Sequence, residues 1–366
     1  MSLPDVPHPT RPATGRRRVL RTLLPPKFFD FWASHFSRTL SFERPLARIV
    51  GRSAASRDAV TLELKANRHW AGCAPGQHVI VGTEIDGRRV SRSYSPTRVD
   101  GRRFEITVKA IAGGKVSRHL CEAVRVGDVL DLGDTFGGMA LPDDAYTPQL
   151  LLAAGSGITP MIAFVRQLAA RGMPMPVTLL YWARTRAERC FVDELRALAA
   201  RDPLFTVRFV LTREAAAAAD EAEGRIDAAS LATLVPDAAQ RHVFACGPGG
   251  FVEAARTLLA ARARTFQAEA FTAPARPAGD DGTVQVTLAR SGRTLTLPRG
   301  ISLLAALEAE GVKPKSGCRM GLCNTCACGK RAGTTRHLLD GLEDAEPASA
   351  LRLCITAART DLVLDL

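Results

Sequence analysis

From about Leu46 the chain places apolar residues in short runs whose spacing predicts strands. ARIVG, AVTLEL, HVIVGTEI, FEITVKAI and VLDLGD follow one another as far as Asp134, each bounded by Gly, Asp or Arg-rich turns. Several short strands at this density predict a small antiparallel barrel that ends near Pro142 and Pro148. The period then changes. QLLLAA, a Gly-rich turn and PMIAFVRQLAARG are followed by VTLLYWA, FVDELRALAARD, FTVRFVLT, HVFACG and GFVEAARTLLAARA. Strands alternating with helices of this length predict βαβ units around a parallel sheet. Within this region EAAAAADEAEG, Glu214 to Gly224, is of low complexity and predicts a surface loop or frayed helix. APARPAGDDG, Ala273 to Gly282, breaks all periodicity and predicts a linker. Beyond it a hairpin (TVQVTLARSGRTLTLPRG), a helix (SLLAALEAEG) and a strand-like end (LRLCITAARTDLVLDL) enclose a run of cysteines.

These changes of pattern divide the 366 residues into a leader (1–42), a barrel domain (43–147), an α/β domain (148–272), a linker (273–282) and a C-terminal domain (283–366). With 46% hydrophobic and 23% charged residues the composition is that of a soluble globular protein. The longest uncharged run, Leu150 to Val165, is shorter than the ~20 residues of a membrane span and holds Gly155, Ser156, Gly157, Thr159 and Pro160. The first residues lack an apolar core with a cleavage site, so a cytoplasmic protein is expected. The net charge of +12 comes without any zinc-finger, homeodomain or basic-zipper pattern, which argues against nucleic acid. One local excess stands out in the leader, where Arg16, Arg17, Arg18, Arg21, Lys27 and Arg38 interleave with Leu20, Phe28, Phe29, Trp32 and Phe36. Such a mixture suits either an anionic membrane surface or packing on the next domain.

Of the nine cysteines, Cys73, Cys121, Cys190 and Cys246 are scattered, while Cys318, Cys323, Cys326 and Cys328 crowd together and Cys354 follows. Cys318-x4-Cys323-x2-Cys326 with a distant Cys354 is the plant-type [2Fe-2S] spacing. Gly317 and Gly321 give the backbone freedom a tight thiolate loop needs. Structural zinc is the competing reading, but zinc sites usually pair two short knuckles and only one is present. Cys328 is read as a spare thiol. SGCRMGLCNTC and the later Leu353-Cys354 resemble a plant-type ferredoxin domain. Its many Arg and Lys residues, among them Arg290, Lys313, Lys315, Arg319 and Arg331, favour a partner with an acidic face.

Four further motifs lie upstream in order. Arg92-Ser93-Tyr94-Ser95 offers a forked cation for a phosphate and a planar ring for an isoalloxazine. Gly113-Gly114-Lys115-Val116-Ser117 lets backbone amides approach a pyrophosphate at a helix start. Gly155-Ser156-Gly157-Ile158-Thr159-Pro160 repeats that device between an apolar strand and a helix, and Cys246-Gly247-Pro248 follows a later strand. Singly each is weak; in sequence they resemble the ferredoxin-NADP reductase superfamily. The resemblance covers about residues 43 to 366. It implies an antiparallel β-barrel that binds FAD, with FMN the alternative, an α/β parallel-sheet nucleotide domain, and an α+β (β-grasp) ferredoxin domain. It also implies that Ser95 hydrogen-bonds near flavin N5, that Cys246 lies at the nicotinamide, and that Glu269 and Phe271 are the acid and aromatic near the flavin.

The donor depends on how the ribose is read after the second parallel strand. Arg184 and Arg189, with Arg186, favour the 2′-phosphate of NADPH, with NADH the alternative. Because nicotinamide delivers electrons in pairs and a [2Fe-2S] cluster takes one, a flavin between them explains three modules in one chain. The acceptor is expected to be a separate protein. This order of domains resembles reductases that feed membrane fatty-acid desaturases, which the basic leader favours, and reductase components of Rieske-type oxygenases. The competing class is a redox sensor or zinc-stabilised interaction module without turnover, which Arg92, Tyr94 and the Gly113-Gly114 turn argue against.

Overall fold

The computed structural model describes residues 38–144, 146–271, 280–321, 323–339 and 341–366; nearly all of the leader and of the linker lie outside these. The first sheet is fully antiparallel. Its seven strands, β1 (Leu46–Ser56), β2 (Ala59–Ala66), β3 (His78–Ile85), β4 (Arg88–Tyr94), β5 (Pro96–Asp100), β6 (Arg103–Lys109) and β7 (Val129–Phe136), run in the order β4-β3-β7-β1-β2-β6-β5. Alternation decides the faces: Val60, Leu62 and Leu64 of β2 point inward while Thr61, Glu63 and Lys65 point outward. Leu62, Leu64, Val79, Val81 and Ile106 are fully enclosed, and Trp70 stacks on Phe104 at 4.4 Å. Each such aliphatic side chain contributes about 1.5–3 kcal/mol by leaving water. Helix α1 (Lys115–Glu122) packs on β6 and β3 through Val116 and Leu120.

Strand β4 has no apolar alternation and is not expected from its sequence, yet it pairs with β3 so that Arg92 stands opposite Val81 and Tyr94 opposite Val79. The flavin motif thus sits on a strand at one end of the sheet order, where polar side chains are tolerated.

The second sheet is parallel throughout. Its strands are β8 (Gln149–Ala154), β9 (Val177–Ala183), β10 (Phe205–Leu211), β11 (Glu221–Glu223), β12 (His242–Gly247) and β13 (Thr265–Ala270), ordered β11-β10-β9-β8-β12-β13. Strands β8, β9 and β12 are buried along their whole length because helices cover both faces. Leu151 and Ala153 pack with α2 (Ile158–Ala170) and α3 (Val192–Arg201); Leu150, Leu152 and Ala154 face α4 (Ala228–Leu234) and α5 (Gly249–Leu259). The chain leaves β8 toward one face and β12 toward the other, so a crevice opens at their carboxyl ends, where nucleotides bind in such sheets. The low-complexity segment is neither frayed helix nor plain loop. It supplies β11, whose Glu221 pairs beside Phe209 of β10.

Polar contacts lock the barrel to this domain. Arg166 of α2 reaches the Thr97 carbonyl (2.9 Å) and Glu105 (3.1 Å), and the buried Glu188 receives Arg57 and Lys109, each at 3.0 Å. The C-terminal domain is a mixed sheet, β15-β14-β21-β16-β19, with a small second sheet β18-β17-β20. These strands are β14 (Thr283–Leu288), β15 (Thr294–Pro298), β16 (Ala327–Ala332), β17 (Thr335–His337), β18 (Glu343–Asp344), β19 (Ala348–Arg352), β20 (Thr356–Ala358) and β21 (Leu362–Leu364). Helix α6 (Leu303–Ala309) buries Leu303, Leu304, Ala306 and Leu307, and its N-cap Ser302 Oγ accepts from the Ala305 amide. Buried Lys330 joins the two sheets by donating from Nζ to the Asp344 carbonyl at 2.6 Å.

Candidate active site and cluster loop

At the carboxyl end of β12 a chain of buried side chains crosses from one domain to the other. Ser95 Oγ lies 2.9 Å from His78 Nδ1, and His78 Nε2 lies 2.5 Å from Glu269 Oε2. Ser95, His78 and Glu269 are 3%, 1% and 9% exposed, so water does not compete for these bonds. The carboxylate accepts from Nε2–H, which leaves Nδ1 as the acceptor for the Ser95 hydroxyl and fixes the tautomer. Phe136 and Phe271 wall the imidazole at 5.4 and 5.9 Å between ring centres. Glu269 is also the β13 partner of Cys246. Burial first, and then the Glu269 charge, push the Cys246 thiol well above its ordinary range, so it stays protonated and neutral. Of these residues Ser95, Cys246, Glu269 and Phe271 were expected at the site and meet there; His78 was missed. It stands in a β-like run with nothing to mark it, and its partner is 191 residues away.

The phosphate turns are built for close approach. Gly113 has φ +72, which favours glycine, and a Cβ on Gly114 would meet Ser117 Oγ at 2.5 Å. Gly114 is the N-cap of α1, and Ser117 Oγ accepts from the Ile111 amide, closing the turn around the helix start. Lys115 and Val116 form its first turn, with Val116 buried. Arg92 donates to the Ser91 carbonyl at 2.7 Å and has no carboxylate in ion-pair contact among the described residues. Burial, then the nearby Arg319, lower its pKa from the ordinary value. Burial likewise raises the Tyr94 phenol, which stays neutral. Ser93 stands opposite Ile80. These features fit FAD, whose phosphates Arg92 and the Gly113-Gly114 turn would hold and whose ring Tyr94 and Ser95 would border.

In the second turn Gly155 (φ +56) and Ser156 begin a short 3-10 turn, and Thr159 Oγ1 donates to the Ser156 carbonyl at 3.0 Å. Gly157 is pressed against the other motif, since a Cβ there would lie 2.0 Å from the Cys246 carbonyl oxygen. Gly247 and Pro248 continue from that contact into α5, and Pro160 enters α2 buried. Sequence motifs 90 residues apart thus form one crevice. The nucleotide arginines are already engaged. Arg189 is buried, pairs with Glu221 at 2.8 Å and lies over the Phe209 ring, while Arg186 grips the same carboxylate. Arg184 binds Glu188 at 2.8 Å but keeps about half of its side chain exposed. Of the three, Arg184 keeps the most of its side chain exposed and Arg189 the least.

The cluster loop shows two thiol couples. Cys318 and Cys323 share contacts: the Cys323 amide donates to Cys318 Sγ at 3.3 Å and the Cys318 amide to Cys323 Sγ at 3.2 Å. The neighbouring Cys318, with Thr325 Oγ1 at 3.1 Å, lowers Cys323 below the ordinary thiol range. Cys326 pairs with Cys354, which brings Cys326 down to about 7 and Cys354 up. Two such couples fit a two-iron cluster, with two thiolates for each iron. Gly317 and Gly321 are obligatory, because a Cβ would meet Cys323 Sγ at 2.8 Å and Ile355 Cδ1 at 2.4 Å. Cys328 belongs to the core, and burial pushes its thiol up to about 11. Arg319, next to Cys318, pairs with Glu308 at 2.5 Å, and both lie within electrostatic reach of Arg92. Arg319 of the cluster loop therefore lies near Arg92 of the flavin strand.

Comparison with known proteins agrees with this arrangement. An oxidoreductase FAD-binding domain matches residues 47–139, an oxidoreductase NAD-binding domain 151–257 and a 2Fe-2S iron-sulfur cluster binding domain 286–359. An NADPH oxidoreductase of Mycobacterium tuberculosis is 34% identical, covering 95% of this chain and 90% of its own. A 3-ketosteroid-9-alpha-monooxygenase ferredoxin reductase component of Mycolicibacterium smegmatis is 34% identical over 85% and 92%. Phthalate dioxygenase reductase superposes with a TM-score of 0.59 at 25% identity, covering 88% of this chain and 97% of its own. The fold and site define an NAD(P)H-dependent flavin and iron-sulfur oxidoreductase. The chain belongs to the ferredoxin-NADP reductase superfamily, in the branch that carries a C-terminal [2Fe-2S] domain. Its cofactors are FAD, a [2Fe-2S] cluster and a pyridine nucleotide, and electrons pass in the order NAD(P)H, FAD, cluster.

Proposed function

We propose that this reductase draws on NADPH and hands single electrons to the terminal component of an oxygenase system, a separate protein. Support for the donor comes from the NADPH oxidoreductase relative and from the half-exposed Arg184 beside the nucleotide crevice. Support for the acceptor comes from relatives that are reductase components of oxygenases. The observation that carries the reading is the Ser95–His78–Glu269 chain at the crevice, with Arg319 of the cluster loop near Arg92 of β4. Bound FAD supplies the two-electron to one-electron conversion that links nicotinamide to iron. The chain's own residues then have distinct tasks. Ser95 presents its hydroxyl with its proton held at His78 Nδ1, and Glu269 holds the proton on Nε2, giving a buried route between Ser95 and Glu269. Neutral Cys246, next to Gly157, adds no charge against the nicotinamide. Glu308 neutralises Arg319, leaving Arg92 to the flavin phosphate.

Anaerobic stopped-flow mixing with NADPH and with NADH, followed at the flavin and cluster bands together, tests this. Fast bleaching by NADPH with the cluster following supports it; a preference for NADH, or a cluster that stays oxidised, sinks it. A second reading, a membrane fatty-acid desaturase as acceptor, is favoured by the basic and aromatic leader. Reconstitution with each acceptor class separates the two.

A further inference from the structure

A cavity of about 570 Å³ opens on the barrel where the chain enters it at Thr39, Leu40 and Ser41. Arg48, Lys65, Arg68, Arg102, Arg103 and His69 line it, and no carboxylate does. Three of these cations form a row. Arg48 of β1 is the register partner of Lys65 of β2, which is the partner of Arg103 of β6. Like charges directly opposite on neighbouring strands repel, so the row costs stability unless an anion lies over it. The local acids do not serve: Glu63 lies over Gly51, and Asp100, which continues the row beyond Arg103, makes no ion pair with it. Several other cations of the barrel are paired, as Arg44 is with Asp131, Lys109 with Asp58 and Glu188, and Arg98 with Glu105. None of the five lining cations has such a partner among the described residues. The cavity is also separate from the flavin strand, since β3 and β7 lie between β4 and β1 in the sheet.

We propose that this pocket is a phosphate-binding site whose occupant is the headgroup of an anionic phospholipid, so that the barrel docks on a membrane surface. A forked guanidinium matches a phosphodiester, and basic pockets of this kind take lipid headgroups. The choice of lipid over a free anion follows from the sequence that leads into the pocket. Arg16, Arg17, Arg18, Arg21 and Lys27, interleaved with Phe28, Phe29, Phe31 and Trp32, precede the cavity's lip, placing a second set of cations and apolar residues next to it in the chain. The inference is independent of which acceptor is used.

The test is flotation of the full-length, cofactor-loaded protein with vesicles of phosphatidylcholine alone or mixed with phosphatidylglycerol. Binding is expected only to the mixed vesicles and should weaken with salt. Each cation near such a surface strengthens binding about fivefold, so the exposed triple variant Arg48→Glu, Lys65→Glu, Arg103→Glu, with the leader intact, should bind more than about 100-fold more weakly, the loss of three cations alone giving that factor and the three added carboxylates increasing it. The same number of reversals at Arg201, Arg213 and Arg262 should change binding only a few-fold, and NADPH–ferricyanide activity should persist in both variants. Equal loss in the two variants, or no loss in the first, overturns the proposal. Displacement by inorganic phosphate at low concentration assigns the pocket to a free anion and overturns the membrane source. Tighter retention on a duplex oligonucleotide overturns it likewise.

Discussion

Substituting Gly157 by Ala separates hydride delivery from everything else the protein does. Gly157 has φ −61, a conformation any residue adopts, so the substitution strains nothing in the backbone itself. The obstacle is contact. The new methyl would sit 2.0 Å from the Cys246 carbonyl oxygen and 2.7 Å from the Gly247 nitrogen, both main-chain atoms that no rotamer change moves. Ordinary contact begins near 3.4 Å, so the two turns must part by about 1.4 Å, the difference between 3.4 and 2.0. Overpacking of this kind costs about 1–3 kcal/mol, tolerable for the fold. A displacement of ~1 Å between reacting groups costs about 100-fold in rate. Flavin reduction by NADPH in an anaerobic stopped-flow instrument should therefore fall about 100-fold, while dithionite reduction and the flavin and cluster spectra stay as in the parent. Reduction within a few-fold of the parent rate would show that the crevice between the two turns is not where the nicotinamide sits, and would refute the reasoning.

Other substitutions probe the remaining parts. Cys326→Ser or Cys354→Ser should abolish the visible cluster bands and bound iron, whereas Cys328→Ser should keep both and lose only about 1 kcal/mol of stability, read from thermal melts. His78→Ala removes the link between Ser95 and Glu269, and NADPH–ferricyanide turnover should fall about 100-fold with partial rescue by added imidazole; full activity would remove His78 from the proton route. Glu221 is held down at about 2, first by Arg186, against an ordinary 4.5. A depressed carboxylate contributes stability above its unfolded value and loses it as pH falls, so the nucleotide domain should weaken between pH 4.5 and about 2. Glu221→Gln should flatten that acid transition in near-ultraviolet circular dichroism; an unchanged profile would show that the Arg186 and Arg189 pairing is inconsequential.

Much of the molecule is legible in the sequence because its chemistry is local. The cysteine spacing, the Gly155 turn and the Gly113 turn each need a short stretch of backbone in one shape, and a short stretch shows it. What escapes is set by pairs far apart. His78 is an unremarkable residue in HVIVGTEI until the fold brings Glu269 against it, and Glu221 hides in an alanine-rich run until β11 buries it under Arg189. Strand β4 was missed for a related reason: Arg88 to Tyr94 carries no apolar alternation, and only its register with β3 makes it a strand. The nucleotide arginines show a further side of this: their types suit a phosphate, and the fold adds that Arg189 also pairs with Glu221.

The order of the parallel strands has a consequence for how such an enzyme changes over generations. The glycine turns follow β8 and β12, whereas Arg184, Arg186 and Arg189 follow β9, on the other side of β8 from β12. If those arginines set the choice of donor, a lineage can exchange one nicotinamide for the other through residues after β9 and leave the contact between Gly157 and Cys246 untouched.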